Sequence, residues 1–184
     1  AAISYSWMSE LYSRAPYVSD RDRVQLDAEG SIQYGMYYWD DNYPDSHVFA
    51  EGECLRKTFD PDFMLYHTMA VDEWGHMKGA DSAEYANAVA AVGHLIAARM
   101  PEWLEKGYQV VVTADHGMNN LGIHVGTEHA QREVALYIFS DKVENGRFEE
   151  NYISQLNVAP LVCKLMGVPA TEGMKQELEI VFSK

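Results

Sequence analysis

The sequence predicts an α/β fold built on a mostly parallel sheet with helices on both faces. Three observations carry that expectation. Short apolar or β-branched runs, such as Val110–Thr113, alternate with longer stretches of helical spacing. Two of these runs, Phe63–Met69 and Val110–Thr113, end alike, on an Asp, a His and a Gly. The order strand, helix, strand between them suits a right-handed βαβ unit, which brings both endings to one sheet edge. In open α/β sheets, ligands gather at that edge.

In chain order, Ala2–Ser6 reads as a strand already under way, so the chain looks like the later part of something longer. Residues 7–44 lack clear periodicity and are rich in Tyr, Trp and Asp. Within them, Tyr34–Pro44 has two readings: an aromatic wall that stacks a substrate ring, or an insertion whose aromatics pack on the domain. The second is preferred. Asp45 or Ser46 is placed to cap a helix reaching Thr58, with Val48, Phe49, Cys54 and Leu55 facing inward. The strand Phe63–Met69 follows Pro61 and ends in a polar loop holding Asp72, Gly75, His76 and Gly79.

Asp81 and Glu84 form a capping box. It opens a long helix through Tyr85, Val89, Val92, Leu95, Ile96 and Met100, kinked or restarted at Pro101 and ended at Gly107. His94 on this helix is read as a packed or surface residue. The strand Val110–Thr113 leads into a loop with Asp115, His116, Gly117, Gly122, His124 and Gly126. Glu133–Ser140 reads as a further strand and Tyr152–Met166 as a helix interrupted by Pro160, with a stop at Gly167-Val-Pro169. The tail from Glu172 to Lys184 is a helix or a short strand. No repeat or low-complexity linker marks a boundary, so residues 1–184 are treated as part of a single domain.

Composition narrows the function. Acidic residues outnumber basic ones, 28 to 14, for a formal charge of −14. Such a surface repels polyanions, which argues against a nucleic-acid-binding face. Phosphorylated substrates would have to be received by cations at a site. The 47% hydrophobic content supports a real core. The two cysteines, Cys54 and Cys163, share no CxxC and are expected as buried free thiols. No stretch reaches the roughly 18 apolar residues of a membrane-spanning helix.

Asp-His-Gly alone fits a capping Asp beside a turn His. Two clusters with one layout shift the balance, because neighbouring strands would then bring Asp72, His76, Asp115, His116 and His124 to one rim. Carboxylate oxygen and imidazole nitrogen together suit zinc or similar divalent ions. Five such residues are too many for one tetrahedral ion and too few for two closed ones.

The combined pattern resembles the alkaline phosphatase superfamily. It consists of Asp72-x-x-Gly75-His76-x-x-Gly79, Thr113-Ala-Asp115-His116-Gly117-Met118, and Gly122-x-His124-x-Gly126. The branch it is most similar to is the type I phosphodiesterase/nucleotide pyrophosphatase group, with which the GPI ethanolamine phosphate transferases share the three blocks. Arg132–Tyr137 and the stretch Leu156–Pro169 resemble the family's later strand, helix and turn, so the likeness spans about residues 62–170.

The resemblance implies an alkaline phosphatase-like sheet, incomplete at its N-terminus, and two divalent metal ions, zinc by preference. One ion would be held by Asp72, His76 and His124. The other would be held by Asp115 and His116 with an Asp from upstream, close to a Ser or Thr nucleophile. No convincing nucleophile occurs within this chain: Ser4, Ser6, Thr68 and Thr113 lack an adjoining Asp. Two departures from the family pattern stand out. Val125 replaces the usual Gly after the last histidine, and His129 lies near enough to compete with His124.

The implied activity is hydrolysis of phosphodiester or nucleotide pyrophosphate bonds, on a small phosphorylated substrate such as a nucleotide. A phosphomonoesterase or phosphonoacetate hydrolase-like enzyme is the alternative, with a mutase further off. A catalytically incomplete fragment that uses ions only for folding belongs to a different class.

Overall fold

Alternating small and apolar residues in Ala2-Ile-Ser-Tyr5 fit a strand buried on both faces, and this is the strand around which the first sheet forms. The computed structural model describes residues 1–146, 152–174, 178 and 180–183. From the N-terminus, β1 (Ala2–Tyr5) leads to the short helices α1 (Trp7–Tyr12) and α2 (Ser19–Asp22). They are followed by β2 (Val24–Leu26), β3 (Tyr34–Tyr38), α3 (Asp45–Phe59) and β4 (Leu65–Tyr66). Next come α4 (Ala70–Lys78), α5 (Ala83–Ala97), α6 (Met100–Glu105) and β5 (Val110–Thr113). The chain continues through α7 (His129–Arg132) and β6 (Leu136–Phe139), then a 3-10 turn (Gln155–Asn157) that runs into α8 (Val158–Met166).

These elements form two compact units, Ala1–Ala98 with His116–Glu133, and Arg99–Asp115 with Val134–Lys184. The first unit carries a mixed sheet in the order β2-β3-β1-β4. β1 pairs in parallel with both β3 and β4, whereas β2 runs antiparallel to β3. The α/β class therefore holds, with parallel pairing limited to β3-β1-β4 among the described strands.

The expected βαβ unit is corrected. β5 does not join β4; it pairs antiparallel with β6 in a separate two-stranded sheet, Val110 opposite Phe139 through Thr113 opposite Leu136. β4 is also only two residues long, where a seven-residue strand was expected.

In the first unit Ile3, Tyr38 and Val48 form a fully buried cluster, with Tyr5, Met36, Tyr43, Met64, Tyr66 and Met69 packed around it. Each buried apolar side chain of this size contributes about 1.5–3 kcal/mol. The Tyr34–Pro44 aromatics are largely structural, as preferred: Tyr37 and Tyr38 are fully buried and Tyr38 stacks on Tyr43 at 5.0 Å. Burial pushes the Tyr37 hydroxyl up to about 12. The hydroxyl of Tyr38 is satisfied by donating to the His67 carbonyl at 2.7 Å.

Helix α3 buries Val48, Phe49, Gly52 and Leu55 on one face, the stripe that helical spacing demands. Gly52 leaves room for the Tyr66 ring, which a Cβ would strike. Cys54, expected inward, points outward: it is a free, exposed thiol, and Cys163 is a free, half-buried one. The position of Cys54, two residues past Gly52 and one before Leu55, falls off the buried stripe.

Asp45 does not cap its own helix. Its Oδ1 accepts from the Met69 and Ala70 backbone N–H groups at 3.3 and 3.4 Å, so α3 caps the start of α4. Helix α5 is opened by Ser82, whose Oγ accepts from Tyr85 N at 3.1 Å, and not by Asp81.

In the second unit, Leu161, Leu165 and Ile180 form a buried cluster with Val111, Leu136, Ile138, Val143, Ile153, Leu178 and Phe182 around it. Pro160 sits in the first turn of α8, where a missing N–H costs nothing, so it begins the helix instead of interrupting it. In the tail, Phe182 forms an antiparallel bridge with Val143; residues 175–177, 179 and 184 lie outside the described residues. No helix among the described residues is long and apolar enough to cross a membrane.

Candidate metal centre

Asp72 and His76 lie on helix α4, not in a loop after a strand as expected. Their i,i+4 spacing puts both side chains on one face. The Asp72 Oδ2 is 3.5 Å from His76 Nε2. The loop after His116 folds back over this face. Its approach is set by two glycines in conformations that other residues resist. A Cβ on Gly79 (φ +80°) would strike the Asn120 carbonyl, and one on Gly122 (φ +73°) would lie 2.7 Å from the His76 carbonyl oxygen. Gly75 lets Met118 and Tyr85 close over the helix, with Met118 only 5% exposed.

The loop delivers two imidazoles. His116 Nε2 sits 3.8 Å from Asp72 Oδ1, the opposite carboxylate oxygen from the one facing His76. The His116 and His124 rings stack at 3.8 Å between centroids, and His124 meets His76 edge-on at 4.9 Å. One nitrogen of His76 is occupied: Nδ1 pairs with the Gly122 carbonyl at 2.8 Å, which fixes Nδ1 as the protonated atom and turns Nε2 towards Asp72. His116 Nδ1 pairs likewise with the Gly117 carbonyl at 3.1 Å.

Asp72, His116 and His124 each offer a ligand atom, and these atoms lie within 4.8 Å of one another. The donor set fits a divalent cation on a second count as well. Asp72 Oδ1 is buried yet makes no hydrogen bond among the described residues, although the side chain as a whole is 28% exposed. A buried carboxylate oxygen without a donor is costly unless a cation faces it. Its negative charge is felt nearby, since the Tyr85 hydroxyl is raised above 10.0, first by burial and second by Asp72.

The remaining sequence candidates divide. His76 adjoins the group through Asp72 and His124. Asp115 is exposed, belongs with the second unit, and stands outside the Asp72–His116–His124 group; its carbonyl accepts from Gln155 Nε2 at 2.9 Å. His129, the competitor of His124, is 78% exposed and its Nδ1 is held by Glu133. Ser4 is fully buried inside β1.

Two buried residues that the sequence did not single out shape the loop. Asn119 Oδ1 accepts from Leu121 N and Ile123 N at 3.0 and 2.9 Å. Gln131 reaches back from α7 to the backbone on either side of His124. A polar residue in a Gly-rich loop was the only signal for Asn119, and a Glu-x-x-Gln capping pattern the only one for Gln131.

This chain belongs to the type I phosphodiesterase/nucleotide pyrophosphatase family, whose model matches residues 5–158, and so to the alkaline phosphatase superfamily. Among curated proteins it is similar to the catalytic subunit of mouse (Mus musculus) GPI ethanolamine phosphate transferase 3, 27% identical over 157 residues, 81% of this chain and 14% of that protein. The human (Homo sapiens) counterpart is 29% identical over 115 residues, 61% of this chain and 10% of that protein. A 2,3-bisphosphoglycerate-independent phosphoglycerate mutase of Wolinella succinogenes is 31% identical over 121 residues, 64% of this chain and 23% of the mutase. The chain thus spans under a quarter of the length of each of these relatives. No solved structure gives a significant match.

Proposed function

We propose that this chain supplies metal-binding residues to a catalytic domain that cleaves phosphodiester or nucleotide pyrophosphate bonds with two divalent ions, zinc by preference. The observation that carries the reading is the convergence of His76, His116 and His124 on Asp72, whose buried Oδ1 has no hydrogen-bond donor among the described residues. In this reading Asp72, His76 and His124 serve one ion. Asp115 and His116 serve the other, together with an Asp and a Ser or Thr nucleophile outside these 184 residues. The carboxylate of Asp72 turns one oxygen towards His76 and the other towards His116.

When bound, such ions supply Lewis acidity to the phosphoryl group and ease deprotonation of the attacking hydroxyl. The chain's own part is to hold two imidazoles, His76 and His116, in fixed tautomers and orientations through the Gly122 and Gly117 carbonyls, so that these donors need not reorganise. The net charge of −14 makes those cations the natural receivers of a phosphorylated substrate.

A second reading has support in the relatives' names: the same residues could serve transfer of a phosphoethanolamine-type group to an alcohol acceptor instead of to water. Hydrolysis of bis-p-nitrophenyl phosphate and p-nitrophenyl phosphate by the natural full-length protein, with and without chelator and an added alcohol, tests both. Chelator-sensitive cleavage faster on the diester supports the first reading. Partitioning of the product onto the alcohol favours transfer, and a faster monoester rate favours a monoesterase. Background rates on both esters, with a melting temperature that falls on chelation, would leave a structural metal site and overturn the catalytic reading.

A further inference from the structure

The histidine at the end of the loop, His124, is held by no hydrogen bond of its own ring among those described, yet its ring is stacked and half-buried. Its placement therefore depends on the backbone that carries it. That backbone is gripped from one side. Gln131, only 6% exposed, donates through Nε2 to the Ile123 carbonyl at 3.2 Å and to the Val125 carbonyl at 3.3 Å, the residues on either side of His124. Its Oε1 accepts from Glu128 N at 3.2 Å, which anchors the amide to the start of α7.

Glu128 in turn accepts from Asn119 Nδ2 at 3.3 Å, and Asn119, 7% exposed, binds Ile123 N. A ring of hydrogen bonds thus runs from the buried Asn119 amide through the exposed Glu128 to the buried Gln131 amide and back to the His124 segment. Each polar atom in it that is named here has a partner, the condition under which a polar network fixes one geometry.

We propose that Gln131 is the positioning residue for His124: its single amide clamps both flanking carbonyls and so aims the imidazole at Asp72. This rests on the metal-site reading above and extends it to a residue that binds no ion itself. The chemistry asks for an amide at 131. A carboxylate there would keep the acceptor for Glu128 N but set negative oxygens against two carbonyls. Gly126 contributes from the other side, since a Cβ on it would strike the Gln131 amide.

The test is Zn²⁺ affinity by isothermal titration on the chain carrying Gln131→Glu or Gly126→Ala, with His124→Ala as the control. Melting temperature is read in chelator alongside. Outer-sphere changes of this kind typically cost 10–100-fold in metal affinity. We expect about a tenfold or larger loss of affinity in both variants, with chelated melting temperatures near that of the wild type. Wild-type affinity in either folded variant overturns the proposal. So does an affinity loss that appears only alongside a matching fall in the chelated melting temperature, which would make Gln131 merely structural. If His124→Ala binds Zn²⁺ as well as the wild type, the metal-site reading itself fails, and that result is distinct from the other two.

Discussion

His116 and His124 stack face to face, 3.8 Å between ring centroids and 15° between planes, although a tight loop separates them in the chain. The contact exists because the loop docks on α4: Gly79 and Gly122 permit the approach, and Asn119 and Gln131 set its shape. The two histidines do not meet at a shared sheet edge. They meet because one glycine-rich loop folds across one helix face that carries Asp72 and His76.

That arrangement distinguishes the two histidines competing for one role. His124→Ala is expected to weaken Zn²⁺ binding by more than about 100-fold, beyond the usual outer-sphere range. His129→Ala, which removes only an exposed partner of Glu133, should change affinity by less than about twofold. Titration calorimetry on the two variants checks this, and release of metal by His129→Ala would reassign the ligand.

The approach of loop to helix should be intolerant of a single methyl group. Gly79 has φ +80° and ψ 159°, a region that only glycine occupies easily, and its Cβ would meet the Asn120 carbonyl. Gly79→Ala should cost at least about 2 kcal/mol in urea unfolding with chelator present. A loss under about 0.5 kcal/mol, the scale of a neutral surface change, would show that the loop has room to spare.

Asp45 offers a pH-dependent check on the α3–α4 junction. Burial raises its carboxyl above the usual 3.8, only partly offset by the N–H groups of Ala70 and Met69. A raised folded value means the favourable protonated form is fully present below the unfolded value of about 3.9 and is lost as pH rises through the folded one. Asp45→Asn keeps an acceptor and cannot ionise. It should therefore melt at or above the wild-type temperature at pH 7, with the gap closing as pH falls towards about 4. A clear deficit at pH 7 would contradict this account.

How much of this was legible beforehand depended on whether the cause was local. Asp72 and His76 could be chosen from spacing alone, and the three motif blocks led to the family. That they ride on a helix was hidden, because the cap of α4 comes from Asp45, 24 and 25 residues earlier than its partners. No local window contains that signal. The pairing of β5 with β6 was hidden for a related reason: the strand-helix-strand order is compatible with a parallel neighbour, and only tertiary packing decides otherwise. Gln131 and Asn119 read as ordinary polar residues until their backbone partners are seen. The aromatic run was resolved by burial, with Tyr37 and Tyr38 inside the core.

The most direct test is equilibrium binding of Zn²⁺ to this chain beside its Asp72→Asn variant, at neutral pH and with both proteins shown to be folded. Saturable binding by the wild type and its loss in the variant, by more than about 100-fold, is the result that the convergence on Asp72 predicts. Binding of equal strength in both proteins, or none in the wild type, would contradict it.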